Sequence, residues 1–278
     1  VVNYNARDHL LACVRSLRAQ GVGEIVVADN ASSDGSAEAL AASDANVVLV
    51  PTGANLGYGT AANRGVAACH GELFLVCNPD VTFGPGAVEV LVAALGADAG
   101  LALVGPRIEE PDGSLYPSAR TFPGVADALG HAFLGLVAPG NRFTRRYRML
   151  DWDHSRPGDV DWVSGSCFLV RRSAWEALGG FEEAFFMYAE DVDLCWRARR
   201  AGLRVGYEPA ACVVHVKGVS TDQAPYRMIV AHHRSLLRFY QRSTTGWRRG
   251  LLPLVAAGLA VRTGLVAAQR AVEGVRAR

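Results

Sequence analysis

Apolar residues in this chain cluster into short continuous runs, and run after run stops at a polar or acidic residue. Val1-Val2 leads into Asn3-Tyr4-Asn5, Ile25-Val26-Val27-Ala28 into Asp29-Asn30, and Val47-Val48-Leu49-Val50 into Pro51. The longest early run, Leu73-Phe74-Leu75-Val76-Cys77, ends in Asn78-Pro79-Asp80. Runs without alternation suit strands buried on both faces, so they predict inner strands of a parallel sheet, with 73–77 at its middle. Pro79 has no amide hydrogen to extend a ladder, which leaves Asp80 just past the carboxyl end. Between the first two runs, Leu10, Leu11, Val14 and Leu17 recur at helical spacing, and Gly21 closes the segment. Strand, helix, strand in that order predicts right-handed crossovers, with Ser33 or Asp34 capping the next helix. A helix over 85–95 and a strand over 101–105 follow. Ligands of open α/β sheets sit at the carboxyl ends of the strands. A single Asp there is ordinarily a turn residue or a cap; the repetition is what points to a site.

The second half carries a different pattern. Residues 161–172 read as a strand and 173–178 as a short helix closed by Gly179-Gly180. The aromatic run from Phe181 to Tyr188 then meets a helix that starts at Glu190, Asp191 and Asp193. Acids favour the positive end of a helix dipole, and Asp193 can pair with Arg197 one turn on. Three acids exceed what capping needs, and the aromatics before them offer a wall for stacking a sugar. The run Ala211-Cys212-Val213-Val214 ends at His215; one His at a strand end is usually structural.

Two stretches break the pattern. From 106 to 157 periodicity is poor and Pro, Gly and Arg are dense, including Arg142, Arg145, Arg146 and Arg148. A loop of that length in a compact domain is functional or mobile, and it is read as an insertion. Residues 226–242 form a helix that mixes Met228, Ile229, Leu236, Leu237 and Phe239 with four arginines. Residues 251–268 are apolar except for Arg262, which would cost about 2.5–3.5 kcal/mol at a bilayer centre. An interfacial amphipathic helix is therefore expected rather than a span, the alternative being a helix packed on the body or on a second subunit.

Composition changes the picture in three places. With 278 residues, half of them apolar, the chain can bury one sizeable core. Net charge is +1, but Tyr226 to Arg278 holds ten Arg and one acid, hence +9, which leaves −8 for the rest. A basic tail on an acidic body fits a polyanionic surface; the sign alone admits nucleic acid as well as anionic lipid. Six scattered cysteines without a CxxC pair predict buried, reduced thiols. The chain opens on Val1, without Met or a leader, so part of the first strand is expected upstream. The glycine-rich stretch 53–65 lacks the GxGxxG spacing of a dinucleotide site. Its glycines allow close backbone approach of a ligand, while Asn55, Asn63 and Arg64 supply donors.

Taken together, Tyr4-Asn5, Asp29-Asn30-Ala31-Ser32-Ser33-Asp34, Asn55-Leu56-Gly57 through Asn63 and Asn78-Pro79-Asp80 resemble the nucleotide-sugar half of family-two inverting glycosyltransferases of GT-A fold. The second half is similar too, in Gly179-Gly180-Phe181-Glu182-Glu183, Phe185-Phe186, Tyr188, Glu190-Asp191, Asp193-Leu194, Arg197 and His215 with Gly218 and Ser220. Its fine grain resembles bacterial rhamnosyltransferases that act on a polyprenyl-diphosphate-linked sugar. The resemblance implies a Rossmann-like, mostly parallel sheet flanked by helices over 1–220, with 106–157 as an insertion over the acceptor side, and a basic, amphipathic helical extension over 221–278. It implies that Asp29 holds the base, that Tyr4, Asn5, Asn30, Asn55, Gly57, Asn63 and Arg64 line base and ribose, and that Asn78 and Asp80 face the diphosphate. Asp80 matches the last acid of a metal-binding DxD whose first acid is replaced by Asn78, and His215 matches a second ligand of Mn²⁺ or Mg²⁺. Asp191 takes the position of the catalytic base, with Glu190 as the fallback, and Trp162, Gly165, Ser166, Phe186 and Tyr188 fall on the acceptor side.

Such chemistry needs a cation for the leaving diphosphate, a carboxylate for the acceptor proton and a rigid hold on the nucleotide. One base and in-line attack imply inversion. The expected donor is dTDP-L-rhamnose and the acceptor a lipid-linked saccharide, at the cytoplasmic face of the plasma membrane, with no nucleic-acid partner and a possible homodimer. A hexosyltransferase using a UDP- or GDP-sugar is the nearest alternative. A sugar nucleotidyltransferase would want a glycine-rich, basic signature that residues 1–18 lack, and a non-catalytic sugar-binding module has no need of Asp80, Asp191 and His215.

Overall fold

A computed structural model describes residues 1–122, 124, 130–135 and 138–276. Strands β1 (Val2–Asn3), β2 (Ile25–Asp29) and β3 (Val47–Pro51) lie side by side in that order, all parallel. Helices α1 (Arg7–Ala19) and α2 (Ser36–Ser43) make the crossovers between them. Asp34 does serve the start of α2, accepting from the Ser36 amide at 3.1 Å, and also binds the Arg7 amide at 2.9 Å.

After α3 (Tyr58–Ala67) come β4 (Leu73–Cys77), β5 (Val81–Phe83), α4 (Ala87–Ala97), β6 (Leu101–Glu109), β7 (Leu115–Tyr116) and β8 (Ala119–Arg120). A wide turn at Gly130–Leu134 and α5 (Arg142–Tyr147) lead to β9 (Gly158–Val160), β10 (Trp162–Val163) and β11 (Cys167–Arg171). The chain continues through α6 (Arg172–Leu178), α7 (Glu190–Arg200), β12 (Arg204–His215), α8 (Pro225–Ser243) and α9 (Leu252–Arg276). The second sheet has the order β4-β11-β6-β12-β5, with β7 on β6 and β9 on β12, while β8 pairs β10 separately.

Within that sheet only β6 and β12 run parallel. Strand 73–77 is thus not at the centre of a parallel sheet as its composition suggested. It pairs antiparallel with β11, which inserts between β4 and β6. An apolar run reports burial on both faces, not the direction of its neighbour. The expected single strand 161–172 is likewise two, broken at Ser164-Gly165-Ser166. This break matters for function, because the Ser166 carbonyl accepts the Asn78 amide at 2.9 Å and ties the ends of β4 and β11 together. Conversely, 204–215 is one strand, whose register shifts between Glu208 and Cys212 to accommodate Pro209.

The core has two parts. Leu10, Val14 and Leu17 of α1 meet Leu91 and Leu95 of α4 and the strand residues Val27, Val104, Ile108 and Leu169. On the other side, Phe74, Phe168, Trp175 and Phe181 pack edge to face, with ring centroids 5.0 Å apart for Trp175 and Phe181. Each fully buried side chain of this size contributes about 1.5–3 kcal/mol, which makes these two clusters the main hold on the site above them.

The tail is joined to the body by charge. Asp193 is 0% exposed and accepts from Arg197 Nε at 2.7 Å and from Arg242 Nε of α8 at 2.9 Å. Residues Gly246–Val272 form a helix long and apolar enough to cross a membrane, with mean hydropathy 1.8 and no buried residue. Arg262 does not face outward from it: its guanidinium donates to the Ala132 carbonyl and meets His233 Nε2, both at 2.7 Å.

Candidate active site

The ends of β4 and β12 place three polar side chains in contact. Asn78 Nδ2 lies 3.3 Å from His215 Nε2, and Asp80 Oδ1 lies 3.1 Å from the same nitrogen. The pairing of His215 with Val81 in β12 and β5 holds them there. Asp80 and His215 are both buried. Their 3.1 Å approach lacks hydrogen-bond geometry, and Asp80 Oδ1 is a buried oxygen without a hydrogen-bond partner among the described residues. Two ligands at right angles around an ion at about 2.1 Å lie about 3.0 Å apart, so this orphaned pair fits a small divalent cation. Among the described residues no third His, Cys, Asp or Glu joins them. The remaining coordination would fall to ligand oxygens and water.

The two acids at the start of α7 line the same cavity. Asp191 Oδ2 accepts the Gly165 amide at 2.7 Å, and Oδ1 accepts the Val192 amide at 2.8 Å. Burial pushes its pKa up, while those amides and the nearby Arg120 guanidinium pull it back. Glu190 has less help, a single backbone hydrogen bond pulling its pKa down. Burial and the adjacent Asp191 hold its pKa well above the usual carboxylate range, and its Oε2 has no partner among the described residues. Of the two, Glu190 therefore resists ionisation more strongly and Asp191 is the more readily ionised. Tyr188 and Ala189, just before them, have φ of 68° and 65°, a strained conformation for residues with side chains. Gly165 permits the approach: a Cβ there would lie 3.0 Å from Asp191 Cβ.

The cavity between these walls measures about 380 Å³. It is lined by Tyr4, Asn30, Asn55, Asn78, Asp80, Trp162, Gly165, Ser166, Phe186, Tyr188, Glu190, Asp191 and His215 from among the residues anticipated. Asn5, Asp29, Gly57, Asn63 and Arg64 do not line it. Asp29 is occupied beneath the wall, its Oδ1 accepting from Asn3 at 2.8 Å and from Ser32 Oγ at 2.6 Å. Asn63 faces the other way along α3, donating to the Phe181 carbonyl and accepting its amide, each at 2.9 Å. Arg64 donates to the Thr52 carbonyl at 2.9 Å, and Asn5 accepts the Ser33 amide at 2.7 Å. These residues hold loops in place rather than face the cavity. Asn30 does both, since its side chain also binds Asn55, the Gly57 carbonyl and the Leu56 amide. At Gly57, with φ of 90°, a Cβ would sit 2.1 Å from the Phe186 carbonyl oxygen, so only glycine lets the donor loop meet the aromatic segment.

Comparison with known proteins now decides the family. The family model for Glycosyl transferase family 2 matches residues 1–179, and that for Glycosyl transferase family group 2 matches residues 137–268. The chain belongs to glycosyl transferase family 2. This glycosyltransferase is 42% identical over 282 residues to the N-acetylglucosaminyl-diphospho-decaprenol L-rhamnosyltransferase of Mycobacterium tuberculosis (strain CDC 1551 / Oshkosh), covering 95% of this chain and 91% of that protein. The low-salt glycan biosynthesis hexosyltransferase Agl10 of Haloferax volcanii is 26% identical over 230 residues, 77% of this chain and 65% of that one. Among solved structures, the mannosyltransferase PcManGT from Pyrobaculum calidifontis, in complex with GDP-Man and Mn²⁺, superposes with a TM-score of 0.61 at 16% identity over 99% of this chain and 79% of its own. TarS 1–349 from S. aureus gives 0.55 at 14% identity over 94% and 69%. The glycosyltransferase thus has the GT-A fold.

Several cavity residues of the glycosyltransferase carry no local signal. Tyr58 donates from its hydroxyl to the Gly165 carbonyl at 2.7 Å. Tyr116, Arg120 and Tyr147 come from the 106–157 stretch, and Arg227, Met228 and His232 from α8. The helical tail therefore contributes wall to the same cavity as Asp191, beyond the boundary expected at residue 220.

Proposed function

We propose that this glycosyltransferase transfers L-rhamnose, with inversion, from dTDP-rhamnose to a saccharide carried on polyprenyl diphosphate. The observation that carries the reading is that one cavity is lined both by the Asp80–His215 pair and by Asp191, whose carboxyl group is held by the Gly165 amide. The rhamnosyltransferase relative, 42% identical over 95% of the chain, supports the choice of sugar and acceptor.

Tyr4, Asn30 and Asn55 would hold the base and ribose, with Asp29 fixing the strand end behind them. Asp80 and His215 would hold Mn²⁺ or Mg²⁺, which when bound neutralises the charge that develops on the leaving diphosphate. Asn78, a neutral side chain in place of an acid, stands beside the pair, its Nδ2 3.3 Å from His215 Nε2. Asp191 accepts the proton of the acceptor hydroxyl as that oxygen attacks the anomeric carbon from the face opposite the diphosphate. The Gly165 and Val192 amides fix the carboxylate for this step. Trp162, Phe186 and Tyr188 supply the apolar and ring surfaces for the acceptor sugar.

The site of action is the cytoplasmic face of a membrane, and the lipid-linked acceptor and α9 support the membrane part of this reading. Leu254, Val261, Leu265 and Val272 are 69%, 60%, 51% and 52% exposed and fall on one face of that helix. Such a stripe beside a basic tail suits peripheral attachment to anionic lipid. The test is product analysis by mass spectrometry and NMR, with dTDP-rhamnose, UDP- and GDP-sugars as donors and a short-chain N-acetylglucosaminyl diphospho-lipid as acceptor. Rhamnose transfer with inverted anomeric configuration is expected; preferential use of another nucleotide sugar, or retention, would overturn the reading.

A further inference from the structure

Gly165 is the residue that admits Asp191, and it is also the loosest joint of the site. Its amide holds the Asp191 carboxylate at 2.7 Å, and a side chain in its place would meet Asp191. A glycine has the widest choice of φ and ψ, so the peptide groups that meet there stay in place only if their neighbours hold them. On one side Ser164 is fixed, its amide donating to the Ser118 carbonyl at 2.9 Å. On the other, the Ser166 carbonyl accepts the Asn78 amide at 2.9 Å. Between them lies the Gly165–Ser166 peptide. Its N–H meets Ser164 Oγ only at 3.4 Å, which is long for a hydrogen bond. Its carbonyl accepts from the Tyr58 hydroxyl at 2.7 Å.

Tyr58 is itself firmly seated. It opens α3 directly after Asn55-Leu56-Gly57, its amide donates to the Phe186 carbonyl at 2.9 Å, and its ring centroid lies 6.0 Å from that of Phe181. Burial pushes its phenol well above the ordinary range, which keeps the hydroxyl protonated and a donor. A phenylalanine would fill the same space and make the same ring contact, so packing alone does not call for the hydroxyl. Without it, the buried Gly165 carbonyl loses this hydrogen bond, and a carbonyl left unpaired in such a place turns toward another donor.

We propose that Tyr58 is a positioning residue for Asp191: its hydroxyl holds the Gly165 carbonyl and so keeps the Gly165 amide aimed at the carboxylate. The proposal rests on the reading of Asp191 as the base and names the residue that keeps it in place. It also links the Asn55 loop to the start of α7, because Tyr58 follows the first and acts on the second. Among the described residues, the titratable and charged groups around Asp191 are Glu190 and Cys195 of α7, Arg120 of β8 and Tyr58. Burial raises the Asp191 pKa, and the Gly165 amide is among the groups that lower it. Loss of the Tyr58 hydroxyl changes no net charge, so a further rise in that pKa reports an amide that has swung away.

The test compares the full chain with Tyr58→Phe, Asp191→Asn and the double variant. Carbon-13 NMR of the aspartate carboxyl groups reads the Asp191 pKa without any substrate, its signal being the one lost in Asp191→Asn. In Tyr58→Phe that pKa rises by about 0.5–1 unit, the size of one weakened hydrogen bond to the ionised form. In turnover kcat falls about tenfold, the acidic limb of kcat/KM moves up with the NMR value, and affinity for dTDP-sugar with Mn²⁺ stays within about twofold. In the Asp191→Asn background the same change costs less than about threefold, because the group it positions is gone. An unshifted Asp191 pKa overturns the proposal. A full tenfold loss in the Asp191→Asn background does so too, because it means that Tyr58 acts on the cavity independently of Asp191. If the pKa shifts while Asp191→Asn turns over like the parent, the reading of Asp191 as the base fails and the coupling through Gly165 stands.

Discussion

Asp191 and Glu190 are neighbours in one desolvated pocket and differ in what touches them. The amides on Asp191 and the Arg120 charge oppose the effect of burial, whereas at Glu190 burial and the like charge beside it outweigh a single backbone hydrogen bond. Because the Asp191 pKa is raised, kcat/KM should fall as pH drops through a value above the ordinary carboxylate range, as the base becomes protonated. A pH–rate profile that stays flat down to the usual Asp range would remove Asp191 from the role. Glu190 predicts a stability effect of definite sign. A carboxyl that binds its proton more tightly in the folded state than in the unfolded chain makes folding less favourable as pH rises above its unfolded value of 4.5. Glu190→Gln should therefore be more stable than the parent at neutral pH, with the difference vanishing near pH 4, as read from melting temperatures across that range. A difference that grows toward acid pH would mean that Glu190 is ionised in the fold.

At the scale of elements, the site depends on how few residues let separate segments approach. Gly165→Ala would bring a methyl group to 3.2 Å from Asp191 Oδ2 and push the carboxylate off its amide. Loss of at least tenfold in kcat is expected, with thermal stability changed far less. Arg242→Ala should cost about 1 kcal/mol in denaturant unfolding rather than the 3–5 of a fully buried pair, because Arg242 is 35% exposed and Arg197 still holds Asp193. Much of this level was legible in the sequence. Asp80, Asn30 and His215 lie where strands end, and an apolar run stopping at a polar residue is a local signal. The i to i+4 pair of Asp193 and Arg197 was legible for the same reason. The directions in which Asn63 and Arg64 point were not, because a donor within a helix can serve either the ligand or the loop behind it. Arg120, Tyr147 and the antiparallel insertion of β11 were hidden as well. They depend on where a stretch without periodicity returns to the sheet, and no local pattern encodes that.

At the scale of the whole molecule, the basic tail and the cavity belong to one assembly. Helix α8 lines the cavity with Arg227 and His232, α9 packs on α8 through Arg262, and the outer stripe of α9 is exposed. The protein is expected to float with anionic liposomes at low salt and to release partly at high salt. Replacing Leu254, Val261 and Leu265 together by Asp should abolish flotation; if it abolishes self-association instead, the stripe is a subunit interface. The central claim is that the Asp80–His215 wall binds donor and the Asp191 wall performs chemistry. One paired measurement tests it most directly: affinity for dTDP-sugar with Mn²⁺, by calorimetry, and kcat on a soluble acceptor, both for Asp80→Ala and for Asp191→Asn. The account predicts that Asp80→Ala loses metal-dependent donor binding, and that Asp191→Asn keeps it while kcat falls by about 10² to 10⁴. Full donor binding by Asp80→Ala, or near-parental turnover by Asp191→Asn, would contradict it.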